Sequence, residues 1–138
     1  MRVLIMGLPG SGKTSLALKL KASLEKHGKS VLWLNADNVR KIHDDWDFSH
    51  EGRLRQAVRM ANYAGVSDDD YTIADFIAPT NQTREIFNAD FTIWMDTISQ
   101  SRYEDTNKVF QNPDKFDVRV VEKDLDKWLE VILTKLGV

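Results

Sequence analysis

Near the start of the chain, Gly7-Leu8-Pro9-Gly10-Ser11-Gly12-Lys13-Thr14 follows the spacing G-x-x-x-x-G-K-[ST]. Glycines so placed let a backbone wrap closely around phosphate and turn successive N–H groups inward. A helix that opens at Thr14 and continues through Ser15 brings its positive N-terminal end to the same anions. Lys13 can reach the β- and γ-phosphates, and the Thr14 hydroxyl can hold Mg²⁺. A chance glycine-rich turn would lack what this motif has, a strand before it and an amphipathic helix after it. Residues Gly7 through Ser15 are therefore expected to bind ATP.

A second group of candidates follows at Asn35-Ala36-Asp37-Asn38-Val39-Arg40. A carboxylate at Asp37 would face the γ-phosphate opposite Lys13. There it could take the proton of an attacking hydroxyl or organise the Mg²⁺ shell. Arg40 offers a planar fork suited to an acceptor phosphate or sulfate. The plainer alternative makes Asp37 a helix N-cap and Arg40 a solvated surface residue. Trp46-Asp47-Phe48-Ser49 comes next, and the stretch Arg53 to Gly65 contains no acid. Arg53 lies at the edge of an apolar helix face and could reach a cleft, whereas Arg55 and Arg59 lie on its polar face. Phe48 is open to two roles, core packing or stacking. Asp75 is open as well, as a second Mg²⁺-organising acid or as a buried acid paired with an arginine.

The elements that must position these residues alternate along the chain. A short, continuous apolar run predicts a strand at Arg2 to Met6, and further strands are expected at Ser30 to Asn35, Thr72 to Ala78, Phe91 to Met95 and Val118 to Val121. Helical spacing predicts helices at Thr14 to Lys26, Arg53 to Ala64 and about Lys123 to Leu136, with Gly28 ending the first. Asn107 to Asp117, which contains Pro113, reads as loop. Such alternation predicts an α/β fold: about five parallel strands with helices on both faces and a ligand at the carboxyl ends of the strands. The length of 138 residues fits a single domain, residues 1–138.

Composition narrows the function further. Nineteen basic against twenty-one acidic residues give a net charge of −2, which argues against an extended nucleic-acid surface. The absence of cysteine removes thiolate catalysis and Cys-based metal sites. No run is long enough to span a membrane, and Val3 to Met6 is too short for a signal core, so a cytoplasmic protein is expected. Whether it forms an oligomer stays open.

Together these residues resemble the adenylylsulfate kinase family, small P-loop kinases that phosphorylate the 3′-hydroxyl of adenylyl sulfate. The family loop G-L-S-G-[SA]-G-K-[ST] is matched by Gly7 to Thr14 with Pro9 at the serine position, and D-G-D-N-[VI]-R by Asn35 to Arg40. Phe48-Ser49, Arg53, Gln56, Arg59, Ile77-Ala78-Pro79 and Arg84 continue the likeness, which runs from about Arg2 to Arg102. The resemblance implies a P-loop kinase fold and a reaction between ATP and adenylyl sulfate with Mg²⁺. It implies Asp37 as catalytic carboxylate, Arg40 and Arg53 on the phosphosulfate, Phe48 against adenine, and Ile77, Ala78 and Pro79 in the same pocket with Gln56.

The chain departs from the family pattern at Asn35, which replaces an acid, at Gln56, which replaces Asn, and in the lid. The stretch Ser101 to Lys108 stands where the family carries Lys-Gly-Leu-Tyr-Lys-Lys. Arg102 could supply a positive group over the transferring phosphoryl, with Lys108 as a second candidate and Phe110 as a further lid aromatic; a surface arginine is the competing view of Arg102. The layout is similar also to polynucleotide 5′-hydroxyl kinases, and a non-catalytic nucleotide-binding module is the third possibility.

Overall fold

The computed structural model describes all 138 residues. Five parallel strands form one sheet: β1 (Arg2–Gly7), β2 (Val31–Asn35), β3 (Tyr71–Asp75), β4 (Phe91–Met95) and β5 (Val118–Val120), in the spatial order β2-β3-β1-β4-β5. Around it run α1 (Lys13–Lys26), α2 (Ala36–His43), α3 (His50–Gly65), α4 (Asn81–Phe87), α5 (Glu104–Val109) and α6 (Leu125–Leu136). No helix is long and apolar enough to cross a membrane.

Alternation along β1 divides the core in two. Val3 and Ile5 pack with Leu16, Leu20 and Leu24 of α1 and Ile132 of α6 on one face. Leu4 and Met6 pack with Ala57 and Met60 of α3 and Phe87 of α4 on the other. A central strand covered on both sides has no polar face to show, which is why β1 reads as an unbroken apolar run.

The structure departs from the expectations in short elements. The third strand stops pairing at Asp75, because residues 76–79 leave the sheet toward Ala78, whose φ of 44° is left-handed. The expected loop over Asn107 to Asp117 begins inside α5. Two further helices went unread. Helix α2 is capped by the Asn35 side chain, which accepts from the Asn38 amide at 3.2 Å, so the cap is Asn35 and not Asp37. Helix α4 opens on a reciprocal Thr80–Thr83 capping box.

One close approach ties the sheet to the phosphate loop. Gly7 has φ 155°, and a Cβ there would lie 2.7 Å from the Met95 carbonyl oxygen and 2.9 Å from Ser11 Oγ. Backbone and core both resist displacement there. Gly7→Ala should lower unfolding stability by about 2 kcal/mol or more, read by chemical denaturation.

Candidate active site

The site lies where parallel strands end. Strand β1 runs into the loop, Asn35 ends β2, Asp75 ends β3, and Asn35 and Asp75 are partners in register. This is the edge at which open α/β sheets bind ligands. Gly10 and Gly12 adopt φ 82° and 101°, turning the backbone where L side chains would be strained. None of the backbone hydrogen bonds uses the N–H of Gly10, Gly12, Lys13, Thr14 or Ser15. Successive donors with no partner at a helix N-terminus form an anion cradle.

Lys13 is buried and donates from Nζ to the Leu8 carbonyl at 3.0 Å. Burial lowers its pKa to about 8, against the charges of Asp75 and Asp37, which raise it. The Thr14 hydroxyl donates to Asp75 Oδ2 at 3.0 Å. That same oxygen accepts from Asn35 Nδ2 at 3.1 Å and from Trp33 Nε1 at 3.3 Å. Burial pushes the Asp75 carboxyl up, while its hydrogen bonds and the Lys13 ammonium pull it down. No arginine pairs with Asp75, so of the two roles left open for it the buried acid–arginine pair is absent.

A single cavity of about 1080 Å³ joins the loop to the second group of candidates. Pro9, Gly10, Lys13 and Thr14 line one part, with Asp37, Arg40, Phe48, Arg53, Gln56, Ile77, Ala78, Pro79 and Arg102 in the same wall. A smaller cleft of about 510 Å³ on the other flank of the loop is lined by Gly10, Gly12, Lys13, Thr14, Ser15, Lys123 and Leu125. Gly7, Leu8 and Ser11 are buried and shape the loop without lining either cavity.

Asp37 is exposed in the first turn of α2. Arg40 and Arg53 are buried at 4% and 8% exposure, which contradicts a solvated surface role for Arg40. Burial lowers the pKa of both guanidinium groups. Phe48 is 48% exposed, so it does not belong to the core. Arg55 and Arg59 pair with Asp45, as polar-face arginines should. Gln56 Nε2 donates to the Ala36 carbonyl at 3.0 Å, and its buried Oε1 has no partner.

In the stretch expected to form the lid, Arg102 Nη2 donates to the Tyr103 hydroxyl at 2.9 Å. Lys108 lies outside the cavity lining. Phe110 packs under Arg84 and against the core, so the aromatic that this stretch contributes to the cavity is Tyr103. Arg84 itself clips two segments together, donating to the Ala78 and Gln111 carbonyls.

Sequence reasoning passed over Trp46, Glu104, Asp105 and Thr106, all of which line the cavity. Thr106 Oγ1 accepts from Arg53 Nη2 at 3.0 Å, a link across 53 residues that no local pattern announces.

A five-stranded parallel sheet in this order, with a phosphate cradle after β1, defines a P-loop kinase fold. The adenylylsulphate kinase family model matches residues 1–112, and the chain belongs to that family. An adenylyl-sulfate kinase of Phocaeicola vulgatus is 36% identical over 85 residues, which cover 59% of this chain and 42% of that protein. A cytidine diphosphoramidate kinase of Campylobacter jejuni is 31% identical over 65 residues, covering 47% of this chain and 38% of its own. The solved APS kinase CysC of Mycobacterium tuberculosis, in complex with AMPPNP and APS, superposes with a TM-score of 0.84 at 23% identity, over 99% of this chain and 97% of that one.

The buried ammonium sets a pH dependence for the cradle. Anion binding favours protonated Lys13, so affinity is full below its free pKa and falls as pH rises through about 8. Titration with ATP as probe should show a roughly tenfold loss between pH 7 and pH 9. Lys13→Met should bind more weakly and lose this dependence.

Proposed function

We propose that this protein transfers the γ-phosphoryl group of ATP to the 3′-hydroxyl of adenylyl sulfate, giving 3′-phosphoadenylyl sulfate and ADP. The observation that carries this reading is the single cavity that unites the anion cradle with Asp37, Arg40, Phe48 and Arg53. A transfer enzyme must hold donor and acceptor in one water-excluding space. Such a step belongs to sulfate assimilation in the cytoplasm, with small molecules and not nucleic acid as partners, and residues 1–138 act as one domain.

Lys13 and the loop amides hold the β- and γ-phosphates. Asp37 accepts the proton of the acceptor 3′-hydroxyl as its oxygen bonds to the γ-phosphorus. The bond from that phosphorus to the β–γ bridging oxygen breaks, and its electron pair leaves with ADP. The unpaired nitrogens of Arg40 and Arg53 stay solvent-accessible in the cavity wall and can hold the anionic end of the acceptor. Phe48 offers its exposed ring to adenine, and Arg102 adds positive charge near the transferring group.

The donor set fits Mg²⁺ in a limited way. No cluster of three or more acidic or histidine ligands exists, so the protein offers no cage. A hydroxyl and a carboxylate 3.0 Å apart at the cradle suit an ion that keeps most of its ligands as phosphate and water. Thr14 would hold it with Asp75 behind, and Asp37 would face it through water; bound there, it neutralises phosphate charge.

A second reading keeps the transfer and changes the acceptor. Glu104 and Asp105 add negative charge to the cavity, which disfavours a strongly anionic acceptor, and one relative phosphorylates a cytidine diphosphoramidate by its name.

Transfer of label from γ-labelled ATP to adenylyl sulfate should yield 3′-phosphoadenylyl sulfate, with cytidine diphosphoramidate as the competing acceptor in parallel. Label on the latter alone would overturn the first reading. Asp37→Ala should reduce transfer by at least a hundredfold while ATP still binds, since a positioned base contributes about 10²–10⁴. Asp75→Asn should abolish the Mg²⁺-dependent strengthening of ADP binding, measured calorimetrically with and without the ion, while metal-free ADP affinity changes little.

A further inference from the structure

Between α2 and α3, after a left-handed turn at Asp44, the chain crosses the cavity wall as an irregular strap, residues 45–49. Its side chains alternate in direction. Asp45 and Asp47 turn to arginines: Arg59 Nη2 donates to Asp45 at 2.6 Å, Arg55 Nε to Asp45 at 3.1 Å and Arg55 Nη2 to Asp47 at 2.8 Å. Trp46 and Phe48 turn to the cavity and are 49% and 48% exposed.

The strap backbone is held from beneath as well. Arg40 Nη1 donates to the carbonyls of Asp45 at 2.9 Å and Asp47 at 3.1 Å, and its guanidinium lies 4.2 Å from the Phe48 ring centroid. Arg53 Nε donates to the Phe48 carbonyl at 2.9 Å. Hydrogen bonds from Arg55, from the Asp47 amide and from Arg59 hold the Asp45 carboxyl well below the usual carboxylate range. Gly52 lies so close to Asp47 that a Cβ there would collide with its carbonyl.

A strap with no sheet partner that leaves two large rings half exposed is not a core element. Its fixation serves the rings. Two aromatic side chains held on one rigid edge of a cavity form a stacking surface for a planar group. We propose that Trp46 makes a second contact to the heterocyclic base of the acceptor nucleotide beside Phe48, and that Asp45 is the positioning residue that fixes both rings on the strap. The assignment of this part of the cavity to the acceptor rests on the function proposed above.

The test uses the full chain with AMPPNP saturating the nucleotide loop, and two acceptor-side probes, AMP and ribose 5-phosphate. They share the sugar phosphate and differ by the base. Stacking on the two rings predicts that AMP binds about tenfold or more tightly than ribose 5-phosphate, a ratio that falls toward one in Trp46→Leu. Asp45→Asn should lower the ratio in the same direction while AMPPNP affinity stays within twofold and Asp45→Glu recovers part of it. Equal binding of the two probes by the native protein would overturn the proposal, as would an unchanged ratio in Trp46→Leu. Asp45→Asn weakening AMPPNP and AMP alike would reduce Asp45 to general structural support. A clear preference for AMP without turnover of adenylyl sulfate would retain the base contact and refute the proposed acceptor. Trp46 is half exposed, so its substitution leaves the core untouched.

Discussion

Parallel pairing fixes how far each strand reaches, and the site depends on that reach. Strand β3 pairs with β1 so that Ile5 sits level with Asp75, and with β2 so that Asn35 does too. Two residues past Ile5, the chain must leave the sheet at Gly7, pressed against Met95 of the neighbouring strand. The loop therefore opens one step above a buried carboxylate, and Thr14 meets Asp75 across 61 residues of sequence. A slip of one residue in either pairing would turn Asp75 to the opposite face of the sheet and break this contact.

Charge in the site is balanced by burial as much as by pairing. Lys13 and Asp75 are both buried, attract one another and lose water together, so each is pulled from its ordinary titration range. Across the cavity, Arg40 and Arg53 are also buried and are satisfied chiefly by carbonyl oxygens rather than by acids. Carbonyl partners orient a guanidinium without cancelling its charge. Both guanidinium groups thereby keep their charge in this wall, where Glu104 and Asp105 stand as opposing charges.

Legibility in the sequence followed the range of the interaction concerned. Strand β4 is set by a short, mostly apolar run and the phosphate loop by glycine spacing, so their bounds could be read directly. Helices α2, α4 and α5 are eight, seven and six residues long. At that length an apolar stripe has too few repeats to stand out, and only the capping side chains Asn35 and Thr80 mark two of them. Of the site, Lys13, Asp37, Arg40 and Arg53 were visible as motif residues that now share one cavity wall. Trp46 was not, because an aromatic in a short polar segment has the same composition whether it faces the core or a cavity. The Arg53–Thr106 bond was beyond reach, since it needs α5 to fold back over α3.

The Lys123 ammonium donates to the Gly10 carbonyl at 3.0 Å from the turn before α6. Lys123 lies beyond the 112 residues that the family model matches, yet it grips the middle of the phosphate loop within them. The carboxy-terminal stretch is thus a tuning handle on the cradle. Changes in the turn before α6 can tighten or loosen the loop while Gly7 to Thr14 stay as they are.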